Sequence, residues 1–222
     1  MPTQKARMLI VEDEPVTRTL LSQIFERQGH PVRAAEDGFS ALEEIRNEVP
    51  DILLSDLNMP GMSGFELLSV VRRRIPGIYV IASSGAFSGK GVPNGVAADA
   101  FHEKASGMGS LFQLVDAAGH RERHVRAGAD ASIPIWISPF KRDASLGAQV
   151  LITCPQCLRA FPLAVGAADF VIHQANCVYC DTLIHYATVQ PMNPALPHRF
   201  HGQLKSAASI VADPLADTEM SA

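Results

Sequence analysis

The feature that most constrains this chain is a set of short, largely apolar runs, each followed by an acidic, hydroxyl or basic residue. The runs cover residues 8–11, 52–55, 78–83 and 100–103, and the residues after them are Glu12, Asp56, Ser84 and Lys104. Apolar runs of this length between turn residues are typical of buried strands. Because the carboxyl ends of parallel strands meet at one edge of a sheet, we expect these four side chains to lie close together.

Between the runs, apolar residues recur at the spacing of one helix face. Three stripes are expected, formed by Val16, Leu20, Ile24 and Phe25, by Ala41, Leu42 and Ile45, and by Phe65, Leu68 and Val71. A fifth helix is expected over about residues 110–118, and the glycine-rich segment after Ser84 predicts a short or irregular fourth helix. Alternating strands and helices predict an α/β fold, a doubly wound five-stranded parallel sheet with the run 32–35 at its periphery.

Helix-end signals agree with this assignment. Pro15 suits the first turn of a helix, Gly29 suits the position after its last turn, and Ser63 suits the N-cap of a helix that begins near Gly64.

Four short motifs follow one another at domain-scale spacing: VEDEP at residues 11–15, SDLNMPGMSG at 55–64, ASSG at 82–85 and AFHEK at 100–104. Together they resemble the receiver domain of two-component response regulators over roughly the first 118 of the 222 residues. The resemblance implies the flavodoxin-like receiver fold and a phosphoprotein of a two-component phosphorelay. It also implies no enzyme activity beyond phosphorylation and dephosphorylation of the domain itself.

The acidic residues predict a metal site. Glu12 and Asp13 follow one strand and Asp56 follows another, and three crowded carboxylates repel one another. A divalent cation with oxygen ligands relieves this repulsion, and Mg²⁺ is the natural occupant. By resemblance, Asp56 is the phosphoacceptor, Asp13, Asp56 and the carbonyl of Asn58 bind Mg²⁺ directly, and Glu12 acts through water. A histidine kinase or a phosphotransfer protein would be the phosphodonor.

The resemblance also implies a switch. Ser84 would hydrogen-bond one phosphoryl oxygen and Lys104 would pair with another. Phe101 occupies the place of the aromatic that changes rotamer when Ser84 moves inward, although plain core packing is an equal explanation. Ala105 stands where receivers usually have proline, often after a cis bond, so the loop after the last strand is expected to be looser.

Charge and hydropathy argue against two classes of partner. Residues 1–116 carry 11 Lys+Arg and 15 Asp+Glu, a balance of −4, and residues 117–222 carry 8 of each, a balance of zero. Neither part has the basic surplus of a dedicated DNA-binding domain. No apolar run reaches the length of a membrane span and the N-terminus lacks a signal segment, so we expect a cytoplasmic protein without membrane contact.

All four cysteines lie in the C-terminal half as two CxxC pairs, Cys154 with Cys157 and Cys177 with Cys180. Nineteen residues separate the pairs, which is a spacing typical of structural Zn²⁺ sites. Two disulfides are disfavoured in a reducing compartment, and a redox dithiol needs only one pair. His173 and His185 could compete as ligands, but four cysteines complete a tetrahedral shell and the histidines are expected to be ordinary strand residues.

The sequence around the cysteines predicts a small β-rich, zinc-ribbon-like domain, whose core needs a metal to hold it. Residues 150–153 lead into the first pair, 160–163 and 170–174 are expected to pair about a turn at Gly166, and 182–187 leave the second pair as a strand. The expected organisation is a receiver over 1–118, a connector of unclear structure over 119–147, the zinc module over 148–188 and a disordered tail over 189–222.

The connector contains two contrasting runs. HRERHVR at residues 120–126 is charged and could extend the fifth helix, whereas IPIWIS at 133–138 is apolar and holds the single tryptophan, Trp136. Trp136 either belongs to a strand packed on the ribbon, which we favour, or marks a docking surface.

Two functions remain open. In the first, phosphorylation of Asp56 changes how the receiver or the zinc module contacts an as yet unknown protein target, and a dimer that forms on phosphorylation through the fourth and fifth helices is compatible with it. In the second, the zinc module contacts nucleic acid and the protein is a transcription regulator. The zero charge balance of residues 117–222 favours the first, because phosphate contacts come largely from Lys and Arg.

Overall fold

A computed structural model of the chain describes residues 5–119, 133–139, 141–143, 147–166 and 169–190. The charged run at 120–126 and nearly all of the expected tail, 191–222, lie outside the described residues. No helix in the described ranges is long and apolar enough to cross a membrane.

The N-terminal domain is built on a five-stranded parallel sheet, which confirms the expected fold class. Its strands are β1 (Met8–Val11), β2 (Val32–Ala35), β3 (Ile52–Asp56), β4 (Tyr79–Ser84) and β5 (Ala100–Glu103). They lie in the order β2-β1-β3-β4-β5, with every neighbouring pair parallel. The four strands that precede polar site residues are therefore contiguous, and β2 is peripheral as expected.

Four α-helices connect or follow these strands: α1 (Pro15–Arg27), α2 (Gly38–Asn47), α3 (Gly64–Arg74) and α4 (Met108–Gly119). One buried cluster, which includes Phe25, Leu111 and Val115, lies between the sheet and helices α1 and α4. A second, which includes Ile45 and Phe65, lies between the opposite face and helices α2 and α3. The sheet is therefore covered on both faces, as a doubly wound fold requires.

The crossover between β4 and β5 contains no α-helix. All of its residues, 85–99, have a described backbone, and the only helical element among them is a 3₁₀ turn at Gly89–Gly91. Four glycines and Pro93 account for this, because glycine and proline are the poorest helix formers. The expected irregularity is confirmed, and the fourth helix of the five-helix scheme is absent.

Helix ends follow the sequence signals. Pro15 occupies the first turn of α1, and Gly29 after that helix has φ +87°, a conformation that favours glycine. Ser63 caps α3 through a capping box in which its side chain accepts from the Glu66 amide while Glu66 accepts from the Ser63 amide.

The apolar stripe expected on α1 is partly wrong. Val16 is 72% exposed and Leu20 is 53% exposed, whereas Phe25 is buried and Leu21 packs beside it. Leu21 and Phe25 are four residues apart and so share one helix face. The apolar residues of α1 are compatible with more than one buried helix face, and the face that packs on the sheet is the one with Leu21 and Phe25.

The C-terminal module, which we define as the described residues from 133 to 190, consists of two small sheets. Its strands are β6 (Ile135–Ile137), β7 (Lys141–Asp143), β8 (Gly147–Thr153), β9 (Ala160–Val165), β10 (Ile172–Asn176) and β11 (Leu183–Thr188). One sheet has the order β7-β8-β9 and the other has the order β10-β11-β6. Apolar side chains from both sheets, among them Ile152, Phe161 and Ile184, form a common core.

The predicted strand pairing in this module is wrong. Residues 160–163 do not pair with 170–174; instead β9 pairs with β8, and β10 pairs with β11, in both cases antiparallel. The physical reason is that each CxxC segment forms the turn of its own hairpin, so that each strand meets the partner nearest in sequence.

The C-terminal module packs on the N-terminal domain. Trp136, Phe170 and Val189 belong to or contact the buried cluster that contains Phe65. Trp136 thus lies on a strand of the module, as expected, and its ring also contacts the other domain. The expected tail boundary shifts, since Val189 is buried and its amide donates to the Ile137 carbonyl.

Candidate functional site

The polar residues predicted at one sheet edge are brought together by the ends of β1, β3, β4 and β5. Carboxylate oxygens of Glu12, Asp13 and Asp56 all lie within 4.8 Å of one another. Glu12 and Asp56 are buried, whereas Asp13 is partly exposed. The strand order explains this proximity, because β1 and β3 are neighbours and both end at this edge.

Lys104 joins the acidic residues across the sheet. Its Nζ atom donates to Asp56 Oδ2 at 2.6 Å and to Glu12 Oε2 at 2.8 Å. Lys104 begins a 3₁₀ turn, Lys104–Ser106, and no peptide bond in the described residues is cis. The alanine at position 105 therefore does not prevent the lysine from reaching both carboxylates, and Ser106 stabilises the turn by donating to the Glu103 carbonyl.

Burial and like charge strain this cluster electrostatically. Burial raises the pKa of Glu12, and the neighbouring Asp56 carboxylate raises it further, against the opposing effect of Lys104. Burial alone would lower the pKa of Lys104, but Asp56 and Glu12 together raise it above its usual value. The pocket thus has an excess of negative charge that one lysine only partly neutralises.

The loop after β3 positions Asp56. The Asn58 amide donates to Asp56 Oδ1 at 3.0 Å. Gly64 makes a close approach to this loop, because a Cβ atom there would lie 2.0 Å from the Asp56 carbonyl oxygen and 2.7 Å from Leu57 Cα. Only glycine fits at this position, so the loop folds tightly and directs the Asp56 carboxylate toward the open edge.

Ser84 is the last residue of β4, the strand beside that of Asp56. Its Oγ atom accepts from the Ala86 amide at 3.1 Å and lies 3.4 Å from Asn58 Nδ2. Phe101, on the adjacent strand, is half-buried and packs against the cluster that contains Phe65. Its predicted role as a rotamer switch stays a prediction, since packing explains its position equally well.

The residues around this edge of the sheet match a known protein family. The family model described as "Response regulator receiver domain" matches residues 8–107, which include all of the polar residues described above. Residues 8–107 are a response regulator receiver domain.

Curated relatives match the receiver domain at moderate identity. Protein PilH of Pseudomonas aeruginosa is 43% identical over 61 residues, 28% of this chain and 50% of PilH. Sporulation initiation phosphotransferase F of Bacillus subtilis is 39% identical over 62 residues, 28% of this chain and 50% of that protein. The chain thus spans half or less of the length of these relatives.

Solved structures also resemble the receiver domain. The crystal structure of response regulator protein TrrA from Thermotoga maritima, in complex with Mg²⁺-BeF, is 28% identical with a TM-score of 0.47 and covers 50% of this chain and 97% of TrrA.

One contributor to the receiver pocket was not found from the sequence. Arg18 on α1 donates from Nη1 to the carbonyl of Glu12 at 2.6 Å and to that of Asp13 at 3.2 Å. It thereby fixes the turn that carries both acids. Its position five residues after Asp13, one helical turn into α1, is a weak signal, because many first-turn arginines lie in solvent.

The four cysteines form a second cluster, outside the matched residues. Cys154 Sγ lies 3.7 Å from Cys180 Sγ, and Cys157 Sγ lies 3.7 Å from Cys177 Sγ. All four are free thiols whose sulfur atoms lie within 4.8 Å of one another. Among the described residues, no histidine joins the cluster; His173 packs on Tyr186, and His185 contacts Gln174.

The two CxxC turns have the same backbone geometry. In the first, the Cys154 amide donates to the Arg159 carbonyl and the Leu158 amide donates to the Cys154 carbonyl. The second repeats both bonds, from Cys177 to Thr182 and from Asp181 to Cys177. Leu158 has φ 62° and Asp181 has φ 57°, so the residue after each pair is left-handed. Two equivalent turns therefore present their thiols to one point.

The surroundings of Cys180 favour its thiolate form. The Thr182 hydroxyl, 3.2 Å from Cys180 Sγ, is the main cause that lowers the pKa of Cys180 to about 6. A thiolate is the form in which cysteine binds metal.

Proposed function

We propose that this protein is a phosphorylation-controlled signalling regulator of a two-component phosphorelay. Asp56 accepts a phosphoryl group from the phosphohistidine of a sensor kinase or a phosphotransfer protein, and the change passes to a protein target. The observation that carries the proposal is the convergence of Glu12, Asp13, Asp56 and Lys104 at the open edge of the receiver sheet.

Mg²⁺ fits the acidic cluster of the proposed site. The oxygens of Glu12, Asp13 and Asp56 are hard ligands. Burial raises the pKa of Glu12 and the neighbouring Asp56 carboxylate raises it further, and a cation at this point would relieve that repulsion. Asp13, Asp56 and the Asn58 carbonyl would hold the ion directly, with Glu12 acting through water. When bound, it would neutralise charge on the transferring phosphoryl oxygens.

The chain's own residues account for the rest of the transfer. An Asp56 oxygen forms a bond to phosphorus as the bond from phosphorus to the imidazole nitrogen of the donor breaks. Lys104 moves from the carboxylates to a phosphoryl oxygen, and Ser84 donates its hydroxyl hydrogen to another. Phe101 would respond to the movement of Ser84.

Replacement of the acceptor tests this proposal directly. With Mg²⁺ and acetyl phosphate, the wild-type protein should gain the mass of one phosphoryl group and Asp56→Asn should gain none while keeping its circular dichroism spectrum. Asp51→Asn, which changes a carboxylate at the opposite end of β3, is the matched control and should be labelled normally. Persistent labelling of Asp56→Asn would place the acceptor elsewhere.

We further propose that the cysteine cluster binds one structural Zn²⁺ and that the C-terminal module is a zinc-ribbon-like domain following the receiver. The support is geometric. Tetrahedral Zn²⁺ with Zn–S bonds of about 2.3 Å separates its sulfur atoms by roughly 3.8 Å. The sulfur atoms of Cys154 and Cys180, and those of Cys157 and Cys177, lie 3.7 Å apart. Four sulfur ligands leave no open position, so the ion would have no catalytic role.

Contact with a protein target is favoured over nucleic acid. Residues 117–222 carry 8 Lys+Arg and 8 Asp+Glu, and Arg159, beside the first CxxC turn, stacks over the Tyr179 ring. Nucleic-acid affinity depends strongly on surplus cations. A titration of the full chain with duplex DNA at low and moderate salt should therefore show weak binding.

A further inference from the structure

The C-terminal module covers the face of the receiver that its β4–β5 crossover leaves without a helix. The ring of Trp136 lies 4.7 Å from that of Phe65, and Phe170 lies 5.5 Å from Phe65 and 5.6 Å from Phe87, centroid to centroid. We call these four residues the aromatic cluster. Trp136 is 2% exposed and Phe65 is 1% exposed, so the cluster is a closed contact between the two parts of the protein.

Hydrogen bonds fix the module in this position. Trp136 Nε1 donates to the Gly95 carbonyl at 3.0 Å, and the Ser138 amide donates to Glu66 Oε1 at 2.9 Å. The same Glu66 side chain accepts from Ser63 at the start of α3. Buried polar groups held in this way define one arrangement of the two parts.

Both loops that line the phosphoacceptor pocket lead into this contact. The loop after β3 ends at Ser63, which Glu66 links to Ser138. The loop after β4 begins at Ser84, whose hydroxyl accepts from the Ala86 amide, and the next residue is Phe87 of the aromatic cluster. Only two residues therefore separate Ser84 from the aromatic contact.

We propose that the aromatic cluster holds the C-terminal module on the receiver, and that phosphorylation of Asp56 loosens this hold. The proposal rests on the proposed phosphorylation of Asp56. A phosphoryl group adds about −1.5 to −2 charges and three acceptor oxygens beside Ser84. If the Ser84 side chain rotates so that its hydroxyl donates to one of them, Oγ moves away from the Ala86 amide, and the loop that carries Phe87 shifts with it.

Displacement of Phe87 affects the whole contact because packed cores change between discrete arrangements and deform little between them. Release of the module uncovers Phe65 and Phe87 on the receiver and Trp136 and Phe170 on the module. These surfaces are apolar and aromatic, as are the centres of protein interfaces.

Trp136 makes the test direct, because it is the only tryptophan in the chain. The full-length protein is treated with Mg²⁺ and acetyl phosphate, and intact mass, tryptophan emission and acrylamide quenching are recorded on the same sample. The labelled protein should show a red-shifted emission and stronger quenching than the unlabelled protein. Asp56→Asn, treated identically, should show neither change.

The readouts separate the two proposals. Absence of labelling in the wild-type protein would contradict the proposed function. Labelling of Asp56 with unchanged emission and quenching would overturn the coupling alone, as would a change that also appears in treated Asp56→Asn.

Gly95→Ala should release the module without phosphorylation. Gly95 has φ +81°, and a Cβ atom there would lie 2.8 Å from Pro134 Cγ and 3.0 Å from Ile172 Cδ1, both in the module. Gly107→Ala is the matched control, because Gly107 has the same φ of +81° but nothing within 4 Å of its Cβ position. Gly95→Ala should resemble labelled wild type in emission and quenching, and Gly107→Ala should resemble unlabelled wild type.

A second variant covers the case in which Gly95→Ala does not fold. Phe87→Leu retains an apolar side chain at a position outside the phosphoacceptor pocket, so phosphoryl labelling should be retained. Acrylamide quenching of Trp136 in the unlabelled variant should be stronger than in unlabelled wild type. The exposed Phe39 supplies the control Phe39→Leu, which should behave as wild type. Unchanged quenching in Phe87→Leu would show that the cluster does not hold the module.

Discussion

At the scale of single residues, Lys104 determines the resting state of the pocket. It bridges Glu12 and Asp56, so it occupies the region in which a bound cation would act. The same ammonium group cannot pair with these carboxylates and with a phosphoryl oxygen at full strength. We therefore expect Lys104 to oppose metal binding at rest, and in the proposed transfer it would stabilise the phosphoryl group.

Lys104→Ala should raise the affinity for Mg²⁺. Two unit charges 4 Å apart interact by about 1 kcal/mol even at the dielectric constant of water, which corresponds to about five-fold in the dissociation constant. Isothermal titration calorimetry of the unlabelled protein measures this change.

The exposed Lys5 provides a control of equal net charge. Lys5→Ala should leave the Mg²⁺ dissociation constant unchanged within about two-fold, since salt screens a distant surface charge. A weaker Mg²⁺ affinity in Lys104→Ala than in wild type would mean that the lysine organises the carboxylates and does not compete with the cation.

At the scale of elements, helix α3 is anchored by a buried ion pair. Arg72 Nη2 lies 2.6 Å from Asp99 Oδ2, with side-chain exposures of 4% and 5%. Asp99 also accepts from the Val80 amide at 2.9 Å. The pair joins α3 to the residue preceding β5, across the crossover that has no α-helix of its own.

Asp99→Ala should destabilise the receiver by about 3–5 kcal/mol, because it leaves the buried Arg72 guanidinium without its carboxylate. Urea denaturation followed by circular dichroism measures the loss. Arg74→Ala, which removes an exposed arginine from the same helix, should change the free energy of unfolding by about 0.5 kcal/mol or less. Equal effects of the two variants would show that the ion pair does not stabilise the fold.

Elements that depend on local sequence were predictable, and those that depend on distant contacts were not. The strands of the receiver and the Ser63 cap follow from nearby residues. The convergence of Glu12, Asp56 and Lys104 was predictable because parallel strands all end at one edge of a sheet. The pairing of β9 was missed because the alternation of side chains along a strand does not identify the strand with which it pairs. The second contact of Trp136 was missed because it lies 71 residues from Phe65 in the chain and no local pattern records it.

At the scale of the whole molecule, the proposed Zn²⁺ site should stabilise more than the module that contains it. Strand β6 carries Trp136 and pairs with β11, which follows Cys180. Loss of the metal should therefore disturb the contact on the receiver as well as the two hairpins, whose common core is small.

Removal of zinc should shift Trp136 emission to the red and lower the unfolding temperature of the receiver. A zinc-selective chelator that leaves Mg²⁺ in solution is the appropriate reagent, with native mass spectrometry to count the ion before and after treatment. Re-addition of Zn²⁺ should restore the emission. An unchanged tryptophan spectrum in a protein shown to be zinc-free would contradict this dependence.

The crossover without an α-helix also affects how the protein is synthesised. Val189 and Trp136, which complete the core around Phe65, are synthesised after α4, which ends at Gly119. At ribosomal speeds of about 5–20 residues per second, residue 189 follows residue 119 by roughly 4–14 s. During that interval the core around Phe65 lacks Trp136 and Val189, so we expect Phe65 and Phe87 to be exposed on the nascent chain.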